Sequence, residues 1–258
     1  MNNLQKAIIE KTGHDFGFEY LVKETDTEVT LGSARHGVHA AISLVGGIYK
    51  VAFQNAKANF ISELNRDVKD KSNHQFNAHS ESQLSFLLQR ASQLANSLPN
   101  QAVDNYETEL KSALALIPPS AKGTEVERMV RQRIGQNAYR KAMLDYWGNA
   151  CAVTGLQMPG VLRASHAKPW AECETDAERL DVYNGFLLTA NLDALFDRYL
   201  ISFDQDGKII ISEVISPTSR ELLSIHQDLK LRWISEGHRY YLNFHRKRLI
   251  SSESMTNS

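Results

Sequence analysis

Residues 184–199, NGFLLTANLDALFDRY, change hydrophobic period inside one short run. Asn184-Gly185 is a turn pair, and Phe186 to Thr189 is an apolar, strand-like segment. From Ala190 onward the apolar residues Leu192, Leu195 and Phe196 recur at helical spacing. A strand therefore runs directly into a helix, and Asp193 and Asp197, four positions apart, project from one face of it. Upstream, VLRASH reads as a short strand ending at His166, because Pro169 lacks a backbone donor and stops the ladder. Between them, AECETDAERLDVY reads as a loop or short helix. The order is strand, loop with an asparagine, strand, helix with two acids.

The rest of the chain frames this unit. From Phe18 to Phe53, apolar and polar residues alternate between glycine-containing breaks, which predicts a small antiparallel sheet with Gly46-Gly47 as a hairpin turn. A polar stretch, roughly Asp67 to Ser80, follows. Leu84, Leu87, Leu88, Ala91 and Leu94 then form a helical stripe, and DNYETELKSALALI predicts a further helix. The segment PPSAKG, Pro118 to Gly123, has linker composition and is read as the domain boundary. Beyond it, Thr124 and Glu127 form a capping-box pair opening a helix to Trp147, with Gly135 as a candidate break.

The 258 residues, 42% hydrophobic and 23% charged, suit one large or two modest globular domains. A net charge of -1 argues against a uniformly basic, indiscriminate nucleic-acid binder, while leaving room for a local basic face such as HRYYLNFHRKRL. No apolar run is long enough to cross a bilayer, and the first residues lack the layout of a signal peptide, so a soluble, cytoplasmic protein with no membrane partner is expected. Cys151 and Cys173 have no C-x-x-C context and read as reduced thiols, Cys151 as a small buried residue.

The chemistry suited to the order around His166 is phosphodiester hydrolysis. It needs an activated water and a hard cation to neutralise charge on the phosphate and the departing 3'-oxygen. A neutral imidazole can take the proton from that water. Two carboxylates on one helical face can hold the cation, and oxygen ligands favour Mg²⁺ or Mn²⁺. Asn184 would fix the backbone at His166 by bonding across the loop.

Four blocks occur here in a familiar order: RQRIGQNAYRKAMLDYWGNACAVTG, LRASHAKPW, NGFLLTANLDALFDRYLISFDQDG and HRYYLNFHRKRL. With them, residues 124–248 resemble the HNH endonuclease family, in its restriction-type subgroup. The resemblance implies an α+β chain with a C-terminal ββα-metal (HNH) nuclease domain, residues 121–258. A separate N-terminal α+β domain, residues 1–120, would serve specificity, sensing or oligomerisation. By position, His166 is the general base and Asn184 the middle N of the family name. Asp193 stands where the final H belongs, with Asp197 one turn later, and Ser165 occupies a position where many relatives carry a metal ligand. Asp193, Asp197 and Ser165 are thus the metal candidates, for Mg²⁺ or Mn²⁺ rather than zinc.

DNA is the expected substrate, restriction or defence against foreign DNA the setting the family implies, and a 5'-phosphate the product. Lys168, Arg198, Arg239, His245, Arg246, Lys247 and Arg248 are the candidate phosphate contacts. Trp170 is expected to pack against the base strand. DQDGKIIISEVI opens like a calcium loop, but Lys208 and Ile215 occupy ligand positions, so it reads as a hairpin turn. His36 and His39 read as surface residues. Two other functions fit the residues: a nucleic-acid-binding module with a decayed site, given Ser165 and Asp193, and a nuclease gated by a ligand or partner at the N-terminal domain. A double-strand cut from a single-site domain favours a homodimer.

Overall fold

A computed structural model describes residues 1–72, 75–99, 101–118 and 123–250, which divide into two compact units, Met1–Gln101 and Ala102–Ser258. The linker read at Pro118 to Gly123 lies mostly outside the described residues. The division falls earlier, ahead of a helix that belongs with the second unit. Among the described residues no helix is long and apolar enough to cross a membrane.

The first unit opens with α1 (Asn3–Asp15), capped reciprocally by Asn2 and Gln5. Strands β1 (Tyr20–Glu24), β2 (Glu28–Gly32), β3 (His39–Val45) and β4 (Ile48–Gln54) follow, then α2 (Ala58–Asp67), β5 (Lys71–Ser72), β6 (Gln75–Ala78) and α3 (Glu81–Ser97). The strands form one antiparallel sheet in the order β1-β2-β3-β4-β6-β5. Gly46 and Gly47, with φ of 60° and 81°, make the β3–β4 turn, a backbone that twists with the strands and needs residues free of a Cβ. The predicted sheet over Phe18 to Phe53 is present and extends into the stretch read only as polar, because Phe76 and Ala78 are buried in alternation with the half-buried Gln75 and Asn77.

Val29, Leu31, Ala40, Ile42, Val51 and Phe76 bury one sheet face, and Ile9 of α1 with Leu84, Leu87, Leu88 and Leu94 of α3 complete the core. Each of these side chains larger than Ala40 contributes roughly 1.5–3 kcal/mol by leaving water. His36, read as a surface residue, is instead 5% exposed. It lies edge-on to Phe18 at 5.1 Å, with Nε2 3.4 Å from Ser92 Oγ, and burial lowers its pKa. His39 is half-buried on β3.

The second unit contains α4 (Gln101–Ala115), α5 (Thr124–Tyr146), β7 (Leu162–His166), α6 (Asp176–Arg179), β8 (Gly185–Thr189) and α7 (Ala190–Asp197). After them come β9 (Ile201–Phe203), β10 (Ile209–Ile211), α8 (Pro217–Leu222) and α9 (Glu236–Arg246). β7 and β8 pair antiparallel, Leu162 opposite Thr189 and His166 opposite Gly185, and α7 packs against both. Trp147, Phe186, Phe196, Phe203 and His238 form an aromatic core, with Phe186 stacked on His238 at 5.3 Å. β9 and β10 are the hairpin expected at Asp204, whose Oδ1 accepts the N–H groups of Asp206 and Lys208.

Two sequence expectations change at α5. Thr124 is its first helical residue and Gly123 the cap, so the capping box does not form. Gly135 does not break the helix: the Trp170 ring packs where its side chain would be, and a Cβ there would lie 2.5 Å from Trp170 Cη2.

Candidate active site

Strand alternation sends Ser165 and His166 to opposite sides of β7. Ser165 is buried and donates to Asp193 Oδ1 at 2.5 Å. The helix directly following β8 carries Asp193 and Asp197 one turn apart, as the sequence phase requires. Desolvation of its carboxyl, followed by the negative charge of Asp193, pushes the Asp197 pKa up to about 6.

His166 is held on three sides. Its Nε2 donates to the Arg179 carbonyl at 2.9 Å, which assigns the proton to Nε2 and leaves Nδ1 as the nitrogen with a free lone pair. The Tyr139 ring stacks on the imidazole at 3.8 Å and 22°, and Trp170 meets it edge-on at 5.7 Å. Burial lowers the His166 pKa to about 4, so the ring is neutral at pH 7. His166, Trp170, Asp197 and Tyr199 line one cleft, with Ala164, Pro169 and His245 completing it.

Asn184 is fully buried and lies behind the cleft. Its Oδ1 accepts from Lys168 N at 2.8 Å, and its Nδ2 donates to the carbonyls of Lys168 (3.2 Å) and Glu178 (3.1 Å) and to Cys173 Sγ (3.3 Å). Its own carbonyl accepts from Ala167 N at 3.0 Å. Asn184 thus ties down the loop immediately after His166, its backbone carbonyl holding Ala167 and its amide holding Lys168, rather than bonding to His166 itself. Gly185 follows because nothing larger fits: a Cβ there would lie 1.9 Å from the Ser165 carbonyl.

The oxygen donors available to a metal are the Asp193 and Asp197 carboxylates and the Ser165 hydroxyl. Among the described residues no three His, Cys, Asp or Glu side chains gather into a metal-holding group. Two like-charged carboxylates close enough to raise one pKa do fit a hard cation that takes its remaining ligands from phosphate and water. The Ser165 hydroxyl, by donating to Asp193, orients that carboxylate.

The candidate phosphate contacts separate into two groups. Arg198 and Lys247 are exposed, and Arg239 is exposed in a surface pair with Glu236 at 3.1 Å. Arg248 lies over the Phe244 ring and donates to Glu172 at 2.7 Å, and Arg246 donates to the Phe203 carbonyl at 3.0 Å. Lys168 and His245 are engaged inside the fold. Lys168 is 8% exposed and paired with Glu178 at 2.6 Å. His245 is 1% exposed, donates to the Phe196 carbonyl at 3.0 Å, accepts from Ser202 and stacks on Phe196. Burial lowers its pKa to about 4, so it offers phosphate no charge at neutral pH. Arg163, on the base strand, donates to the carbonyls of Gly160 and Leu162.

Two site residues escaped the sequence reading. Tyr139 sits on α5, and its available signal was the buried stripe Ile134, Tyr139, Ala142, Met143 and Tyr146. Arg179 acts through its carbonyl, for which no side-chain pattern exists. Its guanidinium braces the same loop through the Trp170 and Cys173 carbonyls.

An antiparallel strand pair followed at once by a helix, with a histidine ending the first strand and two acids on the helix, defines a ββα site. Residues 151–204 match the family model described as HNH endonuclease, so this segment is an HNH endonuclease domain and points to a hydrolase of the nuclease type. The match runs from Cys151 past β9 and includes His166, Asn184, Asp193 and Asp197. Among the curated proteins, none matches the chain.

Proposed function

We propose that the chain is a metal-dependent endonuclease that hydrolyses phosphodiester bonds in DNA, with restriction or defence against foreign DNA as its setting. The observation that carries this reading is the shared cleft: His166, with its proton fixed on Nε2, and Asp197, one turn from Asp193, line the same opening. In the reaction His166 Nδ1 removes a proton from water, the water oxygen bonds to phosphorus, and the bond from phosphorus to the 3'-oxygen breaks. The product carries a 5'-phosphate. Asp193 and Asp197 would hold Mg²⁺ or Mn²⁺, with Ser165 steadying Asp193. A bound divalent cation supplies charge neutralisation at the phosphate and the departing oxygen. Asn184 keeps the loop after the base in one conformation, which limits the positions His166 can take.

Arg198 and Lys247, exposed on the surface, and Arg239, in an exposed pair with Glu236, are the residues that would meet the phosphate backbone, which gives affinity without sequence information. The setting in defence rests on the resemblance of the four sequence blocks to the restriction-type subgroup. Plasmid cleavage by the full chain and by His166→Ala, each with Mg²⁺, Mn²⁺, Zn²⁺ or EDTA, tests the proposal. Cutting by the wild type with Mg²⁺ or Mn²⁺, abolished by EDTA and reduced at least about 100-fold in the variant, is expected. Cutting that survives EDTA, or an unaffected variant, overturns it.

A further inference from the structure

We propose that Tyr139 is a positioning residue for His166, one side chain of α5 that sets both the plane of the imidazole and the spacing of the two strand ends beside it. This rests on the reading of His166 as the base. The phenol ring lies parallel to the imidazole at 3.8 Å, close enough that tilting His166 about its side-chain bonds on that side meets the ring. Its hydroxyl passes beyond the imidazole and donates to the Asn184 carbonyl at 3.0 Å, with the Ser165 carbonyl at 3.4 Å. Those carbonyls flank His166 from opposite strands, one on the residue before it in β7 and one on the residue before Gly185, its partner in β8.

Gly185 is the counterpart of this arrangement. A Cβ at position 185 would lie 2.4 Å from the Tyr139 hydroxyl, so the glycine leaves the space through which the phenol reaches both strands. With Nε2 anchored on the Arg179 carbonyl, one in-plane direction of the ring is fixed, and the Tyr139 stack fixes the plane itself. Trp170, edge-on from another side, closes the remaining freedom and is itself seated against α5 at Gly135. The plane of the base is therefore set from α5, which lies outside the segment 151–204 that matches the nuclease family, whereas Arg179 and Trp170 belong to that segment.

The test compares Tyr139→Phe, which keeps the ring and drops the hydroxyl, with Tyr139→Met, which fills similar space without a planar face, in the full chain. Plasmid nicking is followed at varied DNA concentration, normalised to the folded fraction measured by circular dichroism. The Met variant is expected to lose about 10- to 100-fold in kcat with KM for DNA changed less than about 2-fold, because orientation and not DNA binding is disturbed. The Phe variant is expected to recover most of that loss, to within about 5-fold of wild type. Equal kcat in wild type and the Met variant overturns the positioning role, as does a KM-only effect or a Met variant that does not fold, which assigns Tyr139 to the core alone. A wild type that cuts no DNA with any of the ions removes the nuclease reading itself, an outcome distinct from those three.

Discussion

Asn184 and His245 are both buried polar side chains whose hydrogen bonds are met inside the fold. Asn184 satisfies its amide against Lys168, Glu178 and Cys173; it ends the turn that Asp181 opens, and Gly185, expected as the second turn residue, is already in β8 opposite His166. His245 sits in FHRKR, and neighbouring cations made it read as one more. The helical phase says otherwise: His238, Tyr241, Leu242 and His245 form the buried stripe of α9. A neutral histidine stacked on Phe196 makes a definite pH prediction. Its folded pKa of about 4 lies below the ordinary 6.5, so the unfolded chain binds the proton more tightly. The stability it contributes is complete above pH 6.5 and is lost as pH falls toward 4, by about 2 kcal/mol at pH 5. His166, depressed in the same direction, adds to the loss, and Asp197, raised to about 6, offsets part of it. Urea unfolding of the wild type and of His245→Phe at pH 7.5 and pH 5 measures this. The variant is less stable at pH 7.5 but should lose about 2 kcal/mol less on acidification. Equal losses would place the pH dependence elsewhere.

Elements with a strong period were legible, and those defined by packing were not. The sheet from Phe18 to Phe53, the α3 stripe and the run from β8 into α7 follow from alternation or helical spacing alone. α1 and α2 are short and polar, and their helicity depends on the sheet and α3 against which they lie. α5 shows the same division: its existence was legible, but the role of Gly135 was not, because Trp170 comes from 35 positions further on. In an isolated helix, Gly135→Ala would gain about 1 kcal/mol of propensity. Here the added methyl meets the Trp170 ring at 2.5 Å, and overpacking of this kind costs about 1–3 kcal/mol. We expect the substitution to lower the melting temperature slightly, to change tryptophan fluorescence and to slow cleavage, because the displaced ring is a wall of the cleft beside His166. A higher melting temperature with unchanged fluorescence would mean that Trp170 is not seated there.

At the scale of the whole chain, the two compact units predict where it can be cut. The linker composition at Pro118 to Gly123 suggests a fragment beginning at 121, whereas the compact units divide between Gln101 and Ala102. The difference is α4, and one of its residues decides the matter. Tyr106 is 3% exposed and lies beside Gly135 of α5, within reach of the charges of Arg131, Asp176 and Arg179. Removing α4 would uncover that part of α5, next to the seat of Trp170 and one helical turn before Tyr139. A fragment of residues 102–258 should therefore unfold cooperatively, while residues 121–258 should be less stable by about 2 kcal/mol or more, the value of one large buried side chain. Cleavage by the longer fragment then addresses the N-terminal unit. If that unit holds the nuclease silent, residues 102–258 cut faster than the full chain. If it supplies specificity or assembly, the fragment cuts at an equal or lower rate and loses selectivity among DNA substrates. Comparing the shorter fragment alone with the full chain would confuse release from inhibition with loss of the support that α4 gives the site, so the boundary has to be fixed by stability before the activities are compared.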